Sequence, residues 1–281
     1  MNKKLLESID ILLNLAYLED IGVGEGDITT NNLIPPGESK TALFVAKEDG
    51  IVAGLPVAEM VFRKFDPNIK WKTFISDGHW VKSGDVIAEF SGSYRALLSG
   101  ERIALNFLQR MSGIATLANQ YVKEVEGTNV KILDTRKTMP GYRFLDKYAV
   151  RMGGATSHRI GLYDMVMIKD NHIQVAGGIK SAVEAIRPKI PISIKIEVET
   201  STLEMVQEAI DAGVDIIMLD NMSVETMAKA VKLIDKRAKT EASGNILLPK
   251  IKGIIEIGVD FISVGALTHS VKALDISQRI L

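Results

Sequence analysis

The spacing of apolar and polar residues changes twice along the chain. Near the start, Leu5, Ile9, Leu12, Leu13 and Ala16 recur at helical intervals within MNKKLLESIDILLNLAYLED, which predicts an amphipathic helix. Glu7 and Asp10 interrupt its apolar part and no small-residue cleavage site comes after it, so it does not read as a signal peptide. From about residue 40 to 95 the runs shorten to strand length: TALFVAKEDGIVAG, WKTFIS and WVKSGDVIAEFSG, punctuated by Gly, Asp and Ser. LLSGERIALNFLQRMSGIATLANQYVKEV then returns to helical spacing without a proline, and Gly113 predicts a break between two helices.

From about residue 130 the two periods alternate. KILDT, DMVMIKD, ISIKIEVE, VDIIMLDN, TEASGN and VDFISVGA have strand length, and STLEMVQEAIDAG and SVETMAKAVKLIDKRA read as helices between them. Val- and Ile-rich strands alternating with helices predict a parallel sheet covered by helices. The residues at the strand ends favour a barrel. Arg136 and Lys137 come after the first strand and Lys169 after the second; Glu197 and Glu199 end the third. Asp220 and Asn221 come after the fourth, Ser243, Gly244 and Asn245 after the fifth, and Gly265 after the sixth. A TIM-like barrel builds its active site at those C-terminal ends, whereas a doubly wound sheet concentrates function in one crevice. Six strands are fewer than eight, so either the barrel is incomplete or further strands escape the pattern.

The formal net charge of -1 over 281 residues argues against a nucleic-acid binder. The absence of cysteine removes disulfides, thiolate nucleophiles and Cys-ligated zinc, and fits a reducing compartment. No apolar run reaches the roughly 20 residues of a membrane span, so a soluble cytoplasmic protein is expected. Against this near-neutral background the local cations stand out. In a barrel, Arg136, Lys137, Arg159 and Lys169, with His158, would converge on one rim. Cations that close repel one another and imply an anionic ligand. Each charge pair near 4 Å is worth roughly 4 kcal/mol before desolvation at an effective dielectric of about 20. A single carboxylate would not need so many cations; several phosphates or carboxylates would.

Glycines in SGN and VGA let backbone N–H groups approach an oxyanion closely. Glu199 and Asp220 would face the same cavity, to bind ribose hydroxyls, ligate Mg²⁺, stabilise developing positive charge, or pair with the lysines. Glu197 shares a face with Glu199 by strand alternation, so one of the two reads as structural support. His79 and His269 sit in polar turns, and His172 lies near the rim. No HExxH, GxSxG or Walker phosphate loop occurs, and VKSGDVIAEF lacks the lysine turn of a lipoyl or biotin carrier.

DTRKTMPGYRFLDKYAVRMGGATSHRIGLYDMVMIKDNH resembles the long central signature of the quinolinate phosphoribosyltransferases. GEGDITT, SGERIALNFLQRMSGIAT, IEVET, IMLDN, EASGN and ISVGALTHS are similar to family blocks in family order, so the resemblance spans nearly the whole chain. It implies an enzyme that joins quinolinate to phosphoribosyl pyrophosphate with decarboxylation, in NAD biosynthesis, with Mg²⁺. It also implies an incomplete TIM-like α/β barrel with a smaller N-terminal open-faced α/β sandwich. The division expected is 1–112 and 113–281, with a C-terminal helix packing back on the N-terminal domain. A homodimer with shared active sites is implied, able to assemble further into a hexamer.

Carried over by motif, Arg102 would reach the partner's quinolinate. Thr135, Arg136, Lys137, His158, Arg159 and Lys169 would bind carboxylates and phosphates. Glu199 and Asp220 would serve the ribose and metal side and, with Lys137, catalysis. Ser243, Gly244 and Asn245, with Val264, Gly265 and Ala266, would cradle the 5-phosphate. Two positions depart from the family pattern: Ser157 stands where Asn is expected and Tyr142 where Leu is expected. The rival readings are a sister protein associated with molybdate transport, nicotinate phosphoribosyltransferase, and a non-catalytic phosphometabolite sensor.

Overall fold

The computed structural model describes residues 3–281. The chain forms two compact units. The first takes the chain up to Asn119 together with Thr138–Gly154 and Leu267–Leu281; the second takes Gln120–Lys137 and Ala155–Ala266.

In the first unit, α1 (Lys3–Ile21) buries Leu5, Ile9, Leu12 and Leu13, the face its spacing predicts. After the short α2 (Ile28–Leu33) come β1 (Ser39–Ala46), β2 (Gly50–Ile51), α3 (Leu55–Phe65), β3 (Lys70–Thr73), β4 (Trp80–Val81) and β5 (Val86–Ser93). Phe44 of β1, Trp71 of β3 and Phe90 of β5 meet Phe62 of α3, with the Phe62 and Phe90 rings 4.6 Å apart and Trp71 stacked on Phe90 at 4.9 Å. Gly54 fixes where α3 begins. It adopts φ 107°, open to glycine at little cost, and the Asp77 carboxylate accepts from its N–H at 2.8 Å and from that of Leu55 at 3.1 Å.

Two expectations about this unit are corrected. The helix α4 (Tyr94–Glu124) runs unbroken through Gly113 for 31 residues. A β-carbon at Gly113 would lie 2.1 Å from the carbonyl oxygen of Lys272, so this glycine admits a neighbouring backbone and ends nothing. The chain's last element is a strand, not a helix. Ile276–Ile280 pairs antiparallel with β1, giving a sheet in which β5 joins β1 to β3. The unit also contains α5 (Arg143–Met152), whose Asp146 is fully buried and ion-paired with Arg110 at 2.9 Å.

The second unit has the six strands read from the sequence: β6 (Lys131–Leu133), β7 (Val166–Ile168), β8 (Ile196–Thr200), β9 (Ile216–Asp220), β10 (Lys239–Ser243) and β11 (Phe261–Ser263). Every ladder between them is parallel, and the order is β6-β11-β10-β9-β8-β7. Consecutive strands neighbour one another and β11 returns to β6, which is barrel order. Among the described residues no ladder joins β6 to β7, so the barrel is incomplete there. Thr156 partly fills this seam: it bridges Leu133, donates its N–H to Ile132 at 2.9 Å and accepts from the Asp134 N–H at 3.1 Å.

Helices α6 (Asp170–Ala176), α7 (Ile179–Ile186), α8 (Leu203–Asp211), α9 (Val224–Ile234) and α10 (Ile251–Ile257) alternate with these strands, and α11 (Ala266–His269) comes after β11. Alternation then separates two kinds of strand residue. Val198, Ile217, Leu219, Ala242 and Ile262 are fully buried, as are Val206, Ala209 and Ala230 of the helices. The other face carries Glu197, Glu199, Asp220, Glu241 and Ser243. A parallel sheet covered on both sides is ordinarily apolar on both. These acids are the exception, and they mark the inside of the barrel.

Candidate active site

The C-terminal ends of the strands carry the predicted residues of the second unit. Thr135, Arg136 and Lys137 come after β6, and the Lys137 N–H donates to Thr135 Oγ1 at 3.1 Å, a tight turn that keeps the three together. Lys169 comes after β7 and pairs with Glu199, at the end of β8, at 2.7 Å. Thus the pairing considered for the acids holds for Glu199. Asp220 ends β9 in register with Ser243 of β10, and Asn221 joins them, donating from Nδ2 to Asp220 at 2.6 Å and from its N–H to the Ser243 carbonyl at 3.0 Å. Gly244 and Asn245 have φ of 96° and 46°. A β-carbon on Gly244 would stand 2.3 Å from Asn221 Oδ1, so only glycine fits this turn beside β9. Val264, Gly265 and Ala266 lead from β11 into α11, and Val264 donates its N–H to the Leu133 carbonyl at 2.9 Å. Arg102 belongs to the first unit, exposed on α4.

His158 and Arg159 come from the seam. The Asp134 carboxylate, wholly buried at the end of β6, accepts from the His158 N–H at 2.8 Å. The Arg159 N–H donates to His158 Nδ1 at 2.7 Å. The opposite nitrogen, Nε2, lies 3.1 Å from Glu197 and 3.3 Å from Glu241. In this arrangement both ring nitrogens are engaged within the unit. Burial pushes the imidazole pKa down, but the two carboxylates outweigh burial and lift it to about 10. Burial lifts Glu197 to about 7; His158 opposes this and the nearby Glu241 adds to it.

Arg159 is held by the Met165 carbonyl at 3.0 Å. Burial lowers its pKa, and the neighbouring Arg136 lowers it further, against the pull of Glu197 and Asp164. Arg159 and Arg136 lie on segments joined through Thr156 with Leu133 and His158 with Asp134, beside a lysine at the end of each of β6 and β7. His172 serves structure: its Nδ1 accepts from the Lys169 N–H at 3.0 Å at the start of α6. A cavity of 480 Å³ lies among β7, α6 and α7, lined mainly by apolar residues such as Met165, Met167, Val175 and Ile186, with Arg159 and His172 also on its wall.

The family's N-terminal domain model, quinolinate phosphoribosyl transferase N-terminal domain, matches residues 27–112, and its C-terminal domain model matches residues 114–279. The chain belongs to the quinolinate phosphoribosyltransferase family. A probable nicotinate-nucleotide pyrophosphorylase [carboxylating] of Synechocystis is 46% identical over 276 residues, spanning 97% of this chain and 92% of that protein. The probable enzyme of the same name from Bacillus subtilis is 46% identical over 269 residues, spanning 96% and 92%. The crystal structure of NadC from Streptococcus pyogenes superposes with a TM-score of 0.93 at 41% identity, covering 98% of this chain and 97% of that one.

For a quinolinate phosphoribosyltransferase family member, the sequence reading passed over two residues that the geometry brings to the site. Asp134 opens the DTRK motif and fixes the His158 backbone; Glu241 lies in mid-strand and meets the His158 ring. Neither stands within an apolar run: Asp134 comes just after β6, and Glu241 lies in KTEAS among other polar residues, so the local pattern marks neither.

Proposed function

We propose that this chain transfers the phosphoribosyl group of phosphoribosyl pyrophosphate to quinolinate, giving nicotinate mononucleotide, pyrophosphate and carbon dioxide in NAD biosynthesis. The observation that carries this reading is the placement of Arg136 and Lys137 after β6, Arg159 in the seam beside β6 and Lys169 after β7, four cations at one end of the barrel. Quinolinate brings two carboxylates and the sugar brings a pyrophosphate and a monophosphate. Their charge is what such a rim needs.

The chain's residues divide the work. Arg136, Arg159 and Lys169 bind the quinolinate carboxylates and so align the pyridine nitrogen with C1 of the ribose. Lys137 stabilises charge on the phosphates. The backbone turns at Ser243–Asn245 and Val264–Ala266 cradle the 5-phosphate. As the C1–oxygen bond to pyrophosphate breaks, positive charge develops on the ribose, and Glu199 and Asp220 stabilise it. The pyridine nitrogen then bonds to C1 and becomes cationic. The bond from C2 to its carboxylate breaks, its electron pair stays on C2, carbon dioxide leaves and C2 takes up a proton.

Magnesium suits the donors at the ends of β8 and β9, because Glu199 and Asp220 offer hard carboxylate oxygens on one face. Glu199 already pairs with Lys169 at 2.7 Å, so Glu199 and Asp220 would hold the ion together with substrate phosphates. When bound, it neutralises charge on the departing pyrophosphate. We assign a homodimer in which Arg102 of each copy reaches the quinolinate of the other. A cytoplasmic location accords with the lack of cysteine, and no described helix is long and apolar enough to cross a membrane.

The test is direct. The purified protein is mixed with phosphoribosyl pyrophosphate, Mg²⁺ and either quinolinate or nicotinate, and nicotinate mononucleotide is monitored. Product from quinolinate alone is expected. Product from nicotinate alone, or from neither, would overturn the reading.

A further inference from the structure

Two buried acids have no task in the reaction above. Glu197 of β8 and Glu241 of β10 are both completely buried, and both face Nε2 of His158. Placing two carboxylates in a protein interior costs free energy unless their partners compensate. β9 lies between their strands, so the imidazole reaches from the seam to two strands that do not neighbour each other. A ring met by carboxylates from both sides cannot swing toward one of them without leaving the other.

The place of His158 in the chain gives this tether its consequence. Residues 157–160 lie in no strand and have no ladder to hold them. Point contacts hold them, among them Thr156 to Leu133, the His158 N–H to Asp134, the His158 ring to Glu197 and Glu241, the Arg159 N–H to His158 Nδ1, the Arg159 guanidinium to the Met165 carbonyl and the Ile160 N–H to Asp164; those of His158 are the ones that reach across to β8 and β10. Arg159 is the next residue, and its neighbour Arg136 stands two positions after Asp134. The same few contacts therefore tie together the two segments that carry Arg136 and Arg159.

We propose that Glu197 and Glu241 are positioning residues for quinolinate: acting through His158, they lock the seam segment so that Arg159 stands at a fixed separation from Arg136. The proposal rests on the substrate reading above and deepens it. The acids touch no substrate. Their effect falls on the dicarboxylate and spares the sugar phosphate, whose cradle lies on β10 and β11. The length of glutamate also matters, since aspartate at either position would stop short of the ring.

The experiment is steady-state kinetics on the full chain, wild type beside Glu197→Gln, Glu241→Gln and Glu241→Asp, each also in a His158→Asn background. Each single variant is expected to raise KM for quinolinate about tenfold or more while KM for phosphoribosyl pyrophosphate stays within roughly twofold, the scale on which groups behind a ligating side chain act. The Gln variants keep a polar partner of the same length for His158, and KM is read on protein shown to be folded by its Tm. In the His158→Asn background Glu241→Gln has no further effect, since residues acting through one another are not additive.

Equal changes in both KM values with a fall in Tm would overturn the proposal. So would an undiminished effect of Glu241→Gln without His158. A divalent ion that copurifies at one per chain and is lost in Glu241→Gln would also overturn it, for the acids would then be ligands. If the wild type makes no product, the functional reading fails and positioning is decided separately by the His158 ring ¹⁵N resonances. Resonances that move in Glu241→Gln support the tether, and unmoved ones overturn it.

Discussion

Inside the first unit, Phe44, Phe62, Trp71 and Phe90 meet one another; inside the barrel of the second, Glu197, Glu241 and His158 do. The aromatic interior is what burial alone favours, since each such ring removes about 150–250 Å² from water. The acidic interior runs against burial, and such clusters contribute little net stability compared with apolar residues of the same volume. One interior holds a sheet and a helix together. The other, on the proposed function, gives up stability to organise the ends of strands around an anion. The difference separates residues kept for folding from residues kept for chemistry.

The widest effect should come from the chemical side. Arg136→Met should lower kcat/KM for quinolinate about 10²- to 10³-fold, the usual range for removing one preorganised donor. Thermal stability should change little by comparison, because Arg136 lies after β6, only partly buried and outside the apolar core. Denaturation and kinetics on the same preparation check both. Phe62→Ala should invert the result. Deleting this ring, wholly buried among three aromatics, should cost about 3–5 kcal/mol of stability in urea titration, with KM for quinolinate unchanged in the protein that remains folded. If Arg136→Met unfolds the chain, or Phe62→Ala selectively weakens quinolinate binding, the two interiors are not divided as argued.

Much of this division was legible in the sequence. The six barrel strands and the polar residues after them emerge from periodicity, because parallel strands under helices leave long Val/Ile runs whose ends are abrupt. The pairing of Lys169 with Glu199 was among the readings open for that acid. The hidden part depends on contacts distant in sequence. Glu241 meets His158 across 83 positions, a pairing no local pattern reports. Gly113 reads locally as a helix break, yet its role is set by Lys272, and the final residues become a strand because β1 offers an unpaired edge.

Gly113→Ala sharpens the comparison at smaller amplitude. Its new methyl would meet backbone, which cannot swing aside as a side chain can, so a loss of about 1–3 kcal/mol is expected in urea titration. The change lies in the first unit, and KM for quinolinate should not move with it. A loss no larger than the helix gains from alanine would show that the Lys272 segment yields easily.

The smallest and most diagnostic effect concerns the proton held by the barrel cluster. The facing groups are Glu197 and Glu241 at Nε2, the Arg159 N–H at Nδ1 and Asp134 at the backbone. His158 is raised from 6.5 to about 10, so its contribution to stability is complete below pH 6.5 and lost as pH rises through 10. Glu197 is raised from 4.5 to about 7, so its contribution is complete below pH 4.5 and lost as pH rises through 7. Both favour the folded chain at lower pH, and the pair acts as one unit. The N–H on Nδ1 favours a neutral ring, which would leave the extra proton on Glu197; the two carboxylates favour the charged ring. A variant carrying His158→Gln, Glu197→Gln and Glu241→Gln together removes the titration while keeping the shape. The difference in Tm between wild type and this variant should therefore fall with rising pH. Because His158 and Glu197 lie 3.1 Å apart and titrate together, that midpoint belongs to the pair, and it should lie above the ordinary value of a free glutamate. A difference that does not change with pH would mean that the cluster takes up no extra proton on folding.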